Sequence, residues 1–299
     1  MNQKNDHICV CICTLERVDL LCRLLKELAV QKTEGLFSFS VVVVDNDSNE
    51  SARPLVENLS KTVPYETTYS VEPEKNIALA RNRAVEAATG NFIAFIDDDE
   101  FPIADWLLVL YRECTSRQVD AVLGPVKPYF DEEPPAWVRK GDFYNRPSYP
   151  TGTVIDWRKG RTGNILFRRE ILGDVEIPFR PEFTTGEDQD FARRVMEKGR
   201  VFVWCDEAVA YEVVPPERWN LKFMIRRALL RGKISLRHPT TGIASCLKSL
   251  AAVFLYTLSL PITLALGKHI FVKHLVSLFD HLGKCLAFLR INPISEHYH

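Results

Sequence analysis

Between Ile8 and Glu100 short apolar runs alternate with segments whose apolar residues recur at helical spacing, and no other feature restricts the fold as much. Ile8–Cys13 is apolar, and Val18, Leu21, Leu24, Leu25 and Leu28 then repeat every three or four residues. Phe39–Val44 is almost wholly β-branched, as in a strand buried on both faces, and stops at Asp45-Asn46-Asp47-Ser48-Asn49. Ala52, Leu55, Val56 and Leu59 mark a second helix and Tyr65–Val71 a third strand. Ile77–Ala88 reads as a helix closed by Gly90, and Asn91–Ile96 as a fourth strand running into Asp97-Asp98-Asp99-Glu100. Pro102 is expected to open a helix through Cys114, Val119–Val126 to form another strand, Glu187–Lys198 a helix, and Val201–Cys205 the final strand. This order predicts an α/β fold, a mostly parallel sheet with helices on both faces. Ligands of such sheets bind beyond the carboxyl ends of the strands. Thr14-Leu15-Glu16-Arg17, Asp45 with Asp47, and Asp97 to Glu100 should therefore converge on one crevice.

The net charge of −1 conceals an asymmetry. Residues 218–299 hold 12 Lys and Arg against Asp280 and Glu296, and residues 1–217 carry −11. A division into an acidic body, 1–217, and a basic, apolar helical region, 218–299, follows, and the basic part points to an anionic partner. Ser249–Gly267 has no charged residue. At helical rise it is ~28 Å long, near the hydrocarbon thickness. Pro261 interrupts it, so a kinked, re-entrant or buried helix competes with a simple span. His269–Leu289 is amphipathic and suits a membrane interface. A helical hairpin packed on the core is the alternative. Cys9, Cys11 and Cys13 alternate within an apolar run and read as small buried hydrophobes in a reduced, cytosolic compartment. Nothing in Met1–His7 directs export. The loop-rich 127–160, with five prolines and many aromatics, reads as a binding loop.

Three carboxylates at a strand end repel one another, and a divalent cation is the usual remedy. A solvated, helix-capping turn is the plainer account of Asp97-Asp98-Asp99. Asp45 can accept from a base or a ribose hydroxyl, or cap a turn. Arg81 can reach a diphosphate bidentately, whereas Arg83 reads as a surface arginine. Glu187, Asp188 and Asp190 start a helix, where the macrodipole favours acids and where one carboxylate could serve as a general base.

Together these motifs resemble glycosyltransferase family 2, the inverting sugar-nucleotide transferases of GT-A (Rossmann-like) fold, over residues 8 to about 235. The similarity is greatest to succinoglycan-type β-glucosyltransferases of bacterial exopolysaccharide assembly. It is carried by V-C-I-C-T-L-E-R at 10–17, V-V-V-D-N-D-S at 42–48, N-I-A-L-A-R-N at 76–82 and F-I-D-D-D-E at 95–100. It continues with P-P-A-W at 134–137, T-G-N-I-L-F-R-R at 162–169, G-E-D-Q-D-F at 186–191 and V-V-P-P-E-R at 213–218. The resemblance implies that Asp45, with Asp47 beside it, holds the uracil or ribose of a UDP-sugar, and that Thr14 and Arg17 line the nucleotide pocket. It implies that Asp97 and Asp98 contact ribose and metal waters, that Asp99, with Asp97, binds Mg²⁺ or Mn²⁺, and that Arg81 faces the diphosphate. Gly163 and Asn164 would lie beside the donor sugar. Asp188 would be the base, with Glu187 shaping substrate contacts. The chain departs from the family pattern at Leu15-Glu16, where Glu16 should point away, and at Tyr211-Glu212, where many relatives carry a His.

The implied reaction is an inverting transfer of a hexose from a nucleotide sugar to a polyprenyl-diphosphate-linked saccharide. It would run on the cytoplasmic face of a bacterial inner membrane, with anionic lipid under the basic region and no nucleic acid. Two other classes fit parts of the sequence. A nucleotidyltransferase lacks here its glycine-rich triphosphate loop. A non-catalytic membrane-bound sugar-nucleotide binder does not account for the intact carboxylate clusters.

Overall fold

A computed structural model describes residues 6–183, 185–237, 243–292 and 294. In chain order the elements are β1 (Asp6–Thr14), α1 (Val18–Leu28), β2 (Phe37–Asp45), α2 (Arg53–Leu59), β3 (Glu66–Val71), α3 (Ile77–Ala87), β4 (Phe92–Phe95) and β5 (Glu100–Pro102). There follow α4 (Trp106–Ser116), β6 (Ala121–Leu123), β7 (Val126–Tyr129), α5 (Ala136–Gly141), β8 (Ile165–Arg168), α6 (Glu187–Met196), β9 (Phe202–Trp204) and β10 (Ala210–Val213). Helices α7 (Leu221–Ile234), α8 (Ile243–Leu266) and α9 (Lys268–Phe288) complete the chain. The residues group into two compact units. One comprises residues up to Pro128 with Arg146–Val213, and the other Tyr129–Asn145 with Val214 onward. Part of the 127–160 loop thus belongs with the C-terminal helices rather than with the sheet.

The first unit is a mixed α/β layer structure. Its seven-stranded sheet runs β3-β2-β1-β4-β8-β6-β9, and β5-β10-β7 form a small second sheet. All pairs in the large sheet are parallel except those made by β8. Period-two alternation sends the side chains of β1 into two different cores. Ile8, Val10 and Ile12 pack with Leu21, Leu24, Leu25 and Leu28 of α1, while Cys9 and Cys11 lie under the alanines of α3. The small thiols let α3 approach closely: Cys11 Sγ contacts the Ala84 carbonyl at 3.7 Å. All eight cysteines are unbridged.

Several sequence expectations are corrected. Pro102 ends β5 instead of opening a helix, and α4 starts at Trp106. Helix α3 stops at Ala88 by turning extended (φ −64°, ψ 143°). Gly90 serves the next turn: at φ +83° a Cβ there would meet the His7 carbonyl oxygen at 2.4 Å. Residues 119–126 divide between β6 and β7, which belong to different sheets, and β10 follows what was read as the final strand. The antiparallel β8 has no counterpart in the expected pattern. Its neighbours in the sheet, β4 and β6, are far away in sequence.

In the second unit α9 packs between α7 and α8. Two glycines bring α7 and α9 together: a Cβ on Gly232 would sit 1.9 Å from the Asp280 carbonyl oxygen, and one on Gly283 2.3 Å from that of Leu229. Arg231 closes the same contact on the Asp280 carboxylate at 2.7 Å. Asn220 caps α7 by accepting from the Phe223 N–H at 2.8 Å. Pro261 lies within α8 without ending it.

Candidate active site

Parallel pairing aligns the ends of β1, β2 and β4 at one edge of the sheet, with Thr14 opposite Asp45 and Cys11 opposite Phe95. Because β8 runs the other way, its beginning lies at that same edge, with Ile165 opposite Phe95. Gly163 and Asn164 are thereby delivered to the acidic end of β4. A Cβ on Gly163 would lie 2.8 Å from both Asp97 Oδ2 and Glu100 Oε1, so only glycine leaves room for the two carboxylates.

Three arginines from three segments hold the four acids of 97–100, each shared between two carboxylates. Arg17 donates to Asp98 at 2.9 Å and Asp99 at 3.4 Å. Arg81 donates to Glu187 and reaches Asp97 at 3.4 Å. Arg146 donates to Glu212 and stands 4.0 Å from Glu100. The Thr14 hydroxyl donates to Asp98 at 2.8 Å. Glu100 is 2% exposed, and neither of its carboxylate oxygens accepts a hydrogen bond. Burial, with the neighbouring Asp97 charge second, pushes its carboxyl well above the ordinary range, against the pull of Arg146.

Burial likewise pushes Asp98 up to about 6, against the pull of Arg17 and with the neighbouring Asp99 charge adding to the rise. Folded Asp98 therefore holds a proton that the unfolded chain, titrating near 3.8, has already lost. Its contribution to stability is fully present below pH ~4 and is lost as pH rises to ~6. Chemical denaturation across that window should show a falling stability that Asp98→Asn flattens. An unchanged slope in the variant would refute the assignment.

Of the other sequence-predicted residues, Asp45 is fully buried. It accepts from the Tyr69 hydroxyl and the Ala52 N–H, both at 2.8 Å, and from the Asp47 N–H at 3.2 Å. Asp47 accepts from the Asn49 N–H at 3.0 Å. Both carboxylates hold the turn after β2. Asn164 sits at φ +65°; it accepts from Trp106 Nε1 at 2.7 Å and donates to the Pro125 and Ala208 carbonyls at 2.8 and 2.7 Å. Its amide thus locks the turn into β8. Glu16 is exposed and pairs with Lys75 at 3.0 Å. Glu187 is buried against Arg81, and Asp188 is half-buried, its Oδ1 accepting from the Gln189 N–H at 2.7 Å.

Arg146, Arg161 and Glu212 were not foreseen as site residues. Arg161 donates to the Gly124 carbonyl at 2.9 Å, while its Nε makes no hydrogen bond. Burial first, then Arg146, push its guanidinium down to about 10, with Glu100, Asp188 and Glu212 acting the other way. It immediately precedes the T-G-N-I-L-F-R-R motif, which is the one signal that could have found it. Nothing local marks Arg146, a lone arginine in a loop.

Among the described residues no three His, Cys, Asp or Glu side chains form a closed cation cage. Asp97 and Asp99 fit a different arrangement: a divalent cation held by two carboxylates and completed by phosphate oxygens and water.

The sequence profile of the family described as "Glycosyl transferase family 2" matches residues 9–175, more than half of the chain. The chain belongs to glycosyl transferase family 2. It is 34% identical over 236 residues to the succinoglycan biosynthesis protein ExoM of Rhizobium meliloti (strain 1021), covering 78% of this chain and 75% of that protein. It is 26% identical to the chondroitin synthase of Pasteurella multocida (strain Pm70), covering 73% of this chain but only 26% of that longer protein. In three dimensions it is similar to S. aureus TarS 1–349 in complex with UDP-GlcNAc, with a TM-score of 0.55 at 16% identity, covering 95% and 92% of the two chains. At that identity the likeness establishes the GT-A fold. The protein is therefore a glycosyltransferase related to enzymes of polysaccharide assembly.

Proposed function

We propose that this family 2 enzyme transfers a hexose, with inversion, from a UDP-sugar to a polyprenyl-diphosphate-linked saccharide at the cytoplasmic face of a bacterial inner membrane. One observation carries the reading most directly. Arg81 is shared between Asp97 and Glu187, which puts the acidic start of α6, with Asp188, beside the carboxylates that close β4. In this reading Asp97 serves the donor and Asp188 is the base, and the shared Arg81 keeps the two groups close. The UDP and UDP-GlcNAc complexes of TarS and the role of ExoM in succinoglycan biosynthesis support the donor and product classes.

In this reading Asp188 accepts the proton of the acceptor hydroxyl as that oxygen attacks the anomeric carbon. The bond from that carbon to the diphosphate oxygen breaks on the opposite face, so an α-linked donor gives a β-linkage. Arg17 and Arg81 supply positive charge toward the departing diphosphate. Asp99 and Asp97 would hold Mg²⁺ or Mn²⁺, which when bound neutralises the charge developing on the leaving group. Gly163 keeps the floor beside Asp97 low enough for a ligand. The helices of the second unit, apolar in α8 and basic in α7, are proposed to associate with the membrane that carries the acceptor.

Calorimetric titration with UDP tests the donor site. Mn²⁺ is expected to tighten UDP binding about tenfold or more, and Asp99→Ala to abolish that gain. Binding of UDP indifferent to Mn²⁺ would remove the metal from the scheme, and no nucleotide binding would remove the donor site. In a turnover assay with lipid-linked acceptor, Gly163→Ala is expected to cost about 10²-fold in kcat/KM, since its methyl displaces Asp97 or Glu100. Activity within a factor of about three of the parent would show that the close approach is idle.

A further inference from the structure

Helix α8 has its polarity inside out. Its stripe toward α9 is small and polar, and it is bonded across: Ser259 Oγ to His274 Nδ1 at 2.9 Å, Ser249 Oγ to His281 Nδ1 at 3.2 Å, and Lys284 Nζ to Ser245 Oγ at 3.2 Å. Its outward residues Leu247, Leu250, Phe254, Leu258, Ile262 and Leu266 are 59–66% exposed. An 18-residue stretch of α8 has a mean hydropathy of 1.9 and is 11% buried, whereas the core helix of a water-soluble protein is mostly buried. At 3.6 residues per turn the exposed apolar positions sweep roughly 200° of the circumference. A folded partner contacts a helix along a narrower stripe, whereas a fluid apolar solvent covers so wide an arc.

We propose that the outward face of α8 is immersed in lipid acyl chains, with the helix axis lying along the plane of one leaflet instead of crossing the bilayer. This rests on the membrane association proposed above and specifies its geometry. Length alone would allow a crossing, because 24 residues reach ~36 Å. The neighbouring helix forbids it. The three cross-bonds fix α9 antiparallel to α8 along its length. A crossing α8 would therefore carry Lys273 and Asp280 into hydrocarbon, together with the Arg231 that pairs with Asp280. Lying in the plane, α8 alone meets the acyl chains while α9 and α7 stay on the water side. Lys248 and Lys268, both exposed, bracket the uncharged stretch at headgroup level, and residues 218–299 supply the positive charge that anionic headgroups attract.

The test adds the full chain to preformed vesicles of mixed phosphatidylcholine and phosphatidylglycerol. Lys248→Cys and Lys268→Cys are probed separately with a membrane-impermeant maleimide applied from outside, and the labelled peptide is identified by mass spectrometry because native cysteines are present. Both positions are expected to label on intact vesicles. Labelling of one of them only after the vesicles are opened would mean a crossing helix and would overturn the geometry while leaving membrane association intact. Leu258→Arg, and the milder Leu258→Asn, are expected to reduce co-flotation about tenfold without changing UDP binding. If flotation persists and Leu258→Arg instead converts a dimer to a monomer, a second copy covers the face and the proposal is wrong. If the parent chain does not float at all, the membrane reading itself fails.

Discussion

Asp188→Asn is expected to lower kcat by about 10²–10⁴-fold with little change in donor KM. The argument is one of elimination within a single helical turn. Glu187, Asp188 and Asp190 all sit at the start of α6, where exposed N–H groups favour negative charge. Glu187 is buried and committed to Arg81. Asp190 is committed to Arg180 and to Arg194 at 2.8 Å, and these bonds hold its carboxyl below the ordinary range despite its burial. Asp188 makes no ion pair within 4 Å among the described residues, although Arg161 senses its charge; its Oδ1 takes the adjacent N–H and the group is half-buried. It is the one acid of the three that can accept a proton without first breaking an ion pair. The Asn variant keeps shape and that hydrogen bond but cannot take the proton. Glu187→Gln should behave differently, loosening Arg81 and raising donor KM. Steady-state kinetics on the two variants separate the roles. An Asp188→Asn enzyme with more than about a tenth of parental kcat would move the base elsewhere.

Arg146→Ala is expected to destabilise the protein by about 3 kcal/mol, because removing one partner of a buried ion pair strands the other. Glu212 loses the Arg146 donor, and Glu100, whose carboxylate oxygens accept no hydrogen bond, loses the cation 4.0 Å away. The value is set at the low end of the usual range because Arg146 keeps part of its surface in water. For a unit of this size the midpoint of thermal unfolding should fall by about 6–12 °C. Adding Glu100→Gln should return part of the loss, since the amide removes the buried charge without leaving a cavity. A calorimetric double-mutant cycle measures the coupling. Strict additivity of the two changes would mean that Arg146 and Glu100 do not sense one another. Glu100→Gln alone should be neutral or stabilising and should still impair turnover, the trade-off typical of groups retained for function.

The elements that carry the crevice were legible because their signals are local. Phe39–Val44 reads as a buried strand from its β-branched run, and the leucines of α1 declare their helix by spacing alone. Motif order alone points to Asp97–Asp99 and Asp188 as candidate site residues. Where expectation and structure part, the deciding contact spans distant residues. Pro102 looks like a helix opener, yet its residue pairs with Ala210 of β10. Nothing local tells the four-residue β8 from a loop, because its stability comes from β4 and β6 on either side.

Residue order alone sets the chemistry available: the acids at strand ends, a helix start that can hold a base, and an uncharged stretch long enough for lipid. Tertiary structure decided how those groups are used. It committed Arg81 to Asp97 and Glu187, assigned Asp45 and Asn164 to holding turns, recruited Arg146 and Glu212 to the carboxylates, and turned the polar side of α8 inward. Side-chain identity fixes what a group can bond to. Which partner it finds depends on chain closure between residues tens to a hundred positions apart, and one sequence does not encode that distance in any local pattern.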